Sequence, residues 1–292
     1  MSVILPPDFD VSLYRSLHPD LIQAGFDDVG MAIHYAIHGK KEGRRCSNIN
    51  NRIDFLNILP VGTPILEIRP GFNPFVAGVD VFYFETLEYN QLLNAAKELN
   101  VSEQNICEPD FVSPECDLNI INQQFTAVVS NNDLGKHPDL IKHLQQIEQI
   151  LSNDGLFFCI LPDKNYSFNY YFSESSITSV LVDNVEKKTK VPFRSLVEHA
   201  TLITHNNTAQ HWCGDHGNPF KSKIRSLKEV LNSKTDNIID YNRDVQINSF
   251  SADRFTELMN DLYDCGLTKL KVIRNYKPIR MNNEFYVVLQ KK

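Results

Sequence analysis

The chain has 292 residues, enough to bury a substantial core in one large domain or two smaller ones, and its 42% hydrophobic and 22% charged content is that of an ordinary globular protein. A formal charge of −7 argues against a dedicated nucleic-acid binder, and no apolar run approaches the ~20 residues needed to span a bilayer. The six cysteines are scattered without a C-x-x-C pair, and the opening MSVILPPDFD is too short and acidic for a secretory leader, so free thiols and a cytoplasmic setting are expected.

Residues 1–48 read as a small helical module. Tyr14, Leu17, Leu21 and Ile22 recur at helical spacing until Gly25 and Asp27-Asp28 break the run. A second helix, Val29 to His38, is expected to stop at Gly39, where a left-handed cap would suit glycine. Residues 49–292 read as an α/β domain that begins with a polar connection and a short helix near Ile53–Leu59. An apolar strand, Ile65-Leu66-Glu67-Ile68, runs into the turn Arg69-Pro70-Gly71-Phe72-Asn73-Pro74, and a second strand, Val81–Glu85, closes on an acid. After Phe125–Ser130 comes a helix over 139–151, with Leu140, Ile141, Leu144, Ile147, Ile150 and Leu151 on one face. Ser152–Gly155 stops it, and the strand Leu156–Leu161 follows.

Residues of about 165–245 are irregular and read as a cap inserted over the strand ends. Ser251 is expected to cap a helix over 253–264 that stops at Gly266, and Thr268–Arg274 and Glu284–Leu289 pair as a terminal hairpin. Strand, turn and helix repeat, with an acid closing the second strand, which is how α/β folds bind an adenosine-containing cofactor. Glycine in the first turn lets the backbone approach such a cofactor closely. Arg69 stands there instead. Its guanidinium either pairs with a carboxylate or phosphate at the turn or points to solvent.

Two clusters of the cap carry chemistry on their own residue types. His199, His205, His211, Cys213 and His216 fall close together, but their spacing matches no standard zinc signature, and no metal is expected. His199 and His216, each preceded by an acid, are candidate general bases. Tyr166, Phe168, Tyr170, Tyr171 and Phe172 form an aromatic run suited either to stacking on a sugar or adenine ring or to covering the sheet end.

Tyr14, His18-Pro19-Asp20-Leu21, Gly25, His34-Tyr35, Gly39 and Glu42-Gly43-Arg44 resemble a short module found beside enzymes of bacterial surface-glycan assembly. From Ile65 onward, ILEIRPGFNPF, VFYFETLE and FTAVVSNNDLGKHPDLIKHL resemble the class I S-adenosylmethionine-dependent methyltransferases, and within them a branch of bacterial glycan-biosynthesis clusters. That branch shows LEIGPGxNP, SHVIEHxPDLI, VPDKRYxFD and a closing NEFxVVLxK strand. The resemblance implies a Rossmann-like sheet with helices on both faces and S-adenosylmethionine as cofactor. It implies Glu67, Arg69, Gly71 and Asn73 at the methionine end, Glu85 on the ribose, Glu115 or Asp117 near the adenine, and Ser130, Asn131 and Asn132 beneath the cofactor. Tyr166 joins His199 and His216 as a catalytic candidate. A glycan or other small-molecule acceptor is implied, with the N-terminal module as a dock for other glycan-assembly enzymes. Four departures bear on catalysis: Arg69 replaces glycine, Gly135-Lys136 replaces Glu-His, Asn165 and Asn169 replace a base and an acid, and Gln246 replaces histidine. The rival expectation is a methyltransferase-like scaffold without catalysis. A third keeps the pocket for a nucleotide or phosphosugar, with Arg69 as its clamp.

Overall fold

The computed structural model describes residue 5 and residues 8–219, 227–228 and 245–292. Most of the opening MSVILPP and the cap residues 220–226 and 229–244 lie outside the described residues. The chain divides into two compact units, Met1–Leu59 and Pro60–Lys292.

The first unit is helical. Asp10 caps α1 (Val11–Leu17), accepting the Leu13 N–H at 3.0 Å, and Pro19 opens α2 (Pro19–Gln23) at the first position, where its missing N–H costs nothing. Asp27 caps α3 (Asp28–His34), which runs on into one π-helical turn, Tyr35–Gly39. Gly39 is therefore not a left-handed stop. A Cβ there would lie 2.2 Å from Tyr14 Oη, so glycine is required by close packing. Tyr14, Leu21, Met31, Tyr35 and Cys46 form the core, with Tyr14 Oη 3.0 Å from His34 Nδ1. Arg44 donates to Asp20 and Glu42, and the His18 ring meets the Arg45 carbonyl. The residues that carry the N-terminal resemblance thus hold one another in place. Residues 49–59 group with this unit rather than with the α/β part, because Arg45 donates to Asn50, whose N–H donates to Asp54 in α4 (Arg52–Leu56).

The second unit is built on a seven-stranded sheet. Its strands are β1 (Ile65–Ile68), β2 (Val81–Glu85), β3 (Phe111–Val112), β4 (Phe125–Asn131), β5 (Leu151–Pro162), β6 (Leu270–Tyr276) and β7 (Glu284–Lys291), in the order β3-β2-β1-β4-β5-β7-β6. The first five are parallel, and β7 is antiparallel to both neighbours. A strand with one wet face would alternate apolar and polar residues. Here Ala127, Val128 and Val129 in β4 and Phe157–Leu161 in β5 are all buried, as strands covered on both faces require.

The helix α5 (Tyr89–Glu98) follows β2, and α6 (Leu140–Ile150) leads directly into β5, which starts at Leu151 rather than after Gly155. Among its described residues the cap holds α7 (Ile177–Val185), α8 (Phe193–Leu202) and α9 (Thr208–Trp212), joined by irregular segments. The last helix, α10 (Ala252–Asp264), ends at Gly266 with φ +71. Its cap differs from the expectation: the Ser251 hydroxyl donates to Glu174, and the buried Asp163 at the end of β5 accepts the Ala252 N–H at 3.0 Å.

The connection from β1 to β2 is the turn that the sequence shows. No helix separates β1 from β2; residues 69–80 form turns, because Pro70, Gly71, Pro74 and Gly78 interrupt any helical run.

Candidate functional site

Strands β1 and β4 are neighbours, but the chain leaves β1 toward β2 and returns on the other side at β4. Their carboxyl ends flank the topological switch point, the crevice where open α/β sheets take ligands.

Two buried acids organise the turn on one side of it. Glu67, fully buried, accepts the N–H groups of Phe75 at 3.1 Å and Val76 at 3.0 Å. Burial pushes its carboxyl up to about 7 despite those donors. Glu85, at the end of β2, accepts the Gly71 N–H at 2.6 Å and the Thr86 N–H at 3.3 Å. Burial raises its pKa too, opposed by the Gly71 N–H and the Arg69 charge. Each carboxylate offers about four lone-pair positions, so Glu85 retains accepting capacity beyond these two donors.

Arg69 sits at φ +51, in the region where glycine is the usual occupant. Its N–H donates to the Phe84 carbonyl at 2.8 Å, and its guanidinium donates to Asp133 at 2.6 Å. The carboxylate pairing is thus the one realised, and the pair joins the segments that follow β1 and β4. Asp133 is 2% exposed and also meets His137 Nε2 at 2.8 Å. Burial works to raise the Asp133 pKa, but the charges of Arg69 and His137 outweigh it and hold the carboxyl well below the ordinary range. Asp133 was not among the residues singled out from the sequence. Its signal was there: it occupies the apolar position of the SHVIEH pattern, in the same chain in which the turn glycine became arginine.

A second pair of departures also fits together. A Cβ on Gly135 would lie 2.0 Å from Gln246 Nε2, and the Gly135 carbonyl accepts the N–H groups of Ile247 and Asn248.

At the end of β4, Ser130 Oγ, Asn131 Oδ1 and Asn132 Oδ1 are buried without a hydrogen-bond partner. Buried polar atoms left unpaired cost roughly 1–3 kcal/mol each, so this edge of the crevice suits a polar ligand. Among the other expected residues, Asn73 is exposed and accepts from Asn105 at 3.1 Å, and Glu115 is exposed beyond β3. Asp117 caps the 3₁₀ turn Leu118–Ile120 and accepts from Gln146, a structural position.

The catalytic candidates lie in the cap. Tyr166 stacks on Trp212 with centroids 3.9 Å apart, which covers one face of the ring. His199, on α8, meets Phe168 and Phe172 edge-on. His216 stacks on Tyr170 at 3.6 Å, and its Nδ1 lies 3.0 Å from His211 Nδ1.

The sheet order with a terminal antiparallel hairpin is that of a Rossmann-like α/β fold. No family model matches the chain, and no curated protein does. Solved structures are similar in fold. The CcbJ methyltransferase from Streptomyces caelestis gives a TM-score of 0.41 at 12% identity, over 82% of this chain and 92% of that one. A putative zinc-dependent alcohol dehydrogenase from Rhodobacter sphaeroides gives 0.41 at 10%, over 85% and 91%. The mitomycin 7-O-methyltransferase MmcR gives 0.36 at 12%, over 79% of this chain; the chain spans 50% of the length of MmcR. No helix among the described residues is long and apolar enough to cross a membrane.

Proposed function

We propose that the chain binds S-adenosylmethionine at the β1/β4 crevice and transfers its methyl group to an oxygen or nitrogen of a sugar-containing precursor. The observation that carries this reading is the sign of the crevice. Glu85 is a buried acid at the end of β2, and the unpartnered amide oxygens of Asn131 and Asn132 are acceptors. Such a lining suits a ligand rich in donors and positive charge, namely ribose hydroxyls, an ammonium and a sulfonium. It suits a phosphate poorly. The turn after β1 opens no helix whose N-terminus would hold an anion, and Arg69, the candidate clamp, already serves Asp133.

In this reading Glu85 holds the ribose hydroxyls, the turn Arg69–Asn73 lies along the methionine end, and Ser130, Asn131 and Asn132 form the floor. The cofactor supplies an electrophilic methyl group on sulfur. The protein orients the acceptor in line, the cap offers His199 and His216 as groups able to take its proton, and the Tyr166 hydroxyl can hydrogen-bond to the acceptor. The sugar-containing acceptor and a docking role for the first unit rest on the sequence resemblance.

A second reading is favoured by one contact. The Arg69–Asp133 pair bridges the segments that flank the crevice, as expected of a fold kept for binding after its cofactor site has closed.

Calorimetric titration with S-adenosylmethionine and S-adenosylhomocysteine separates the two. Micromolar binding by the native chain, weakened at least tenfold in Glu85→Ala, is the expected result. Binding gained only in Arg69→Gly would establish the closed site, and binding by neither would refute the cofactor assignment.

A further inference from the structure

Asp133 and His137 lie on the connection from β4 into α6 and His143 in the first turn of α6, and one ligand atom from each falls within 4.8 Å of the others. We propose that these three residues form a site for one divalent first-row transition-metal ion, with zinc as the simplest occupant. The site does not depend on the cofactor assignment.

His143 carries the argument. It is 2% exposed, and neither ring nitrogen has a hydrogen-bond partner. A neutral imidazole always presents one N–H and one lone pair, so this ring buries a lone pair with nothing to receive it. Its neighbour His137 stacks against it, with centroids 3.4 Å apart and planes 13° from parallel. Because lone pairs lie in the ring planes, the stacked rings must splay for the two nitrogens to converge on one ion.

The third ligand is Asp133. Its Oδ2 is hydrogen-bonded to His137 Nε2 at 2.8 Å, and the two must part to about 3.3–3.6 Å to share a tetrahedral ion with bonds of about 2.0–2.2 Å. Arg69 occupies the other carboxylate oxygen, Oδ1, leaving Oδ2 toward the histidines. Ligating carboxylates are commonly held by such outer hydrogen bonds. The Arg69 charge also opposes a cation, so its removal should tighten binding.

Two imidazoles and one carboxylate suit zinc, cobalt, nickel or ferrous iron rather than magnesium or calcium, and three protein ligands leave a position for water. In the sequence, the histidines that invite a metal are those of the cap. Among the described residues, the three-ligand grouping lies beside the crevice instead, because β4 and α6 are joined by a short connection.

The test uses the full chain, stripped with a chelator and titrated with Co²⁺ by its visible spectrum and with Zn²⁺ against a chromophoric competitor. One equivalent is expected, with affinity reduced at least tenfold in His143→Ala and in His137→Asn, raised in Arg69→Gly and unchanged in His211→Ala. Circular dichroism checks that each variant folds, and His137→Asn carries the test if His143→Ala does not. No saturable binding by the native chain, or binding indifferent to both substitutions, overturns the proposal. So does loss of binding in His211→Ala with His143→Ala unaffected.

Discussion

Replacing Arg69 tests whether the crevice is bridged. In Arg69→Ala the Asp133 carboxylate stays buried and keeps only His137 as partner. Removing one member of a buried pair costs about 3–5 kcal/mol. The 15% exposure of the Arg69 side chain and the remaining histidine place this case near about 3 kcal/mol. The backbone at φ +51 then separates two variants. Glycine relieves a left-handed conformation that costs other residues roughly 1–2 kcal/mol, so Arg69→Gly should be about 1 kcal/mol more stable than Arg69→Ala. Urea unfolding at pH 7 measures both. The pH dependence follows from the depressed Asp133 carboxyl, whose stabilisation is complete above its unfolded pKa of about 4 and fades as pH falls toward the lower folded value. The deficit of Arg69→Ala should therefore shrink below about pH 4. An Arg69→Ala protein within about 0.5 kcal/mol of native at pH 7, or a deficit that grows on acidification, would refute the buried pair.

Three further substitutions probe the features that position the site. Glu67 has its carboxyl raised from 4.5 to about 7, so the folded state holds the proton more tightly and stability should fall by about 3 kcal/mol as pH rises across that interval; chemical denaturation should lose this slope in Glu67→Gln, and an unchanged slope would remove Glu67 as its source. Gly135→Ala would set a methyl group against Gln246 and the Asn248 carbonyl, so thermal unfolding should register a loss of about 1–3 kcal/mol, and an unaltered midpoint would contradict the close approach. Gly39→Ala should destabilise the first unit by a similar amount, about 1–3 kcal/mol, because Tyr14 Oη occupies the space; hydrogen exchange of the first unit's helices in the full chain would read it, and tolerance of alanine would contradict the close packing.

What could be read from the sequence was local. β1, β2 and β4 are continuous apolar runs bounded by turns, and α6 has an apolar face of helical period, so each was placed within a few residues. β3 was missed because two residues, Phe111 and Val112, are too few to show a period. The site divides in the same way. Glu67 and Glu85 lie on or at the ends of strands whose register is readable. Asp133 meets Arg69 only because β1 and β4 are adjacent, and nothing within either segment announces that pairing. Likewise Asp163, not Ser251, serves the first N–H of α10, a contact that exists only once β5 and that helix are assembled.

The position of β7 bears on how the protein is made. β5 ends near Pro162, yet its outer edge is paired by Glu284–Gln290, and among the described residues β6 pairs only with β7. During synthesis the hydrophobic edge of β5 waits, uncovered, until that late segment has left the ribosome. Contacts so distant in sequence form slowly, and an open strand edge is a template for association between chains. A chain interrupted before Glu284 would lose an interior strand of its sheet, and aggregation of such fragments is the expected fate.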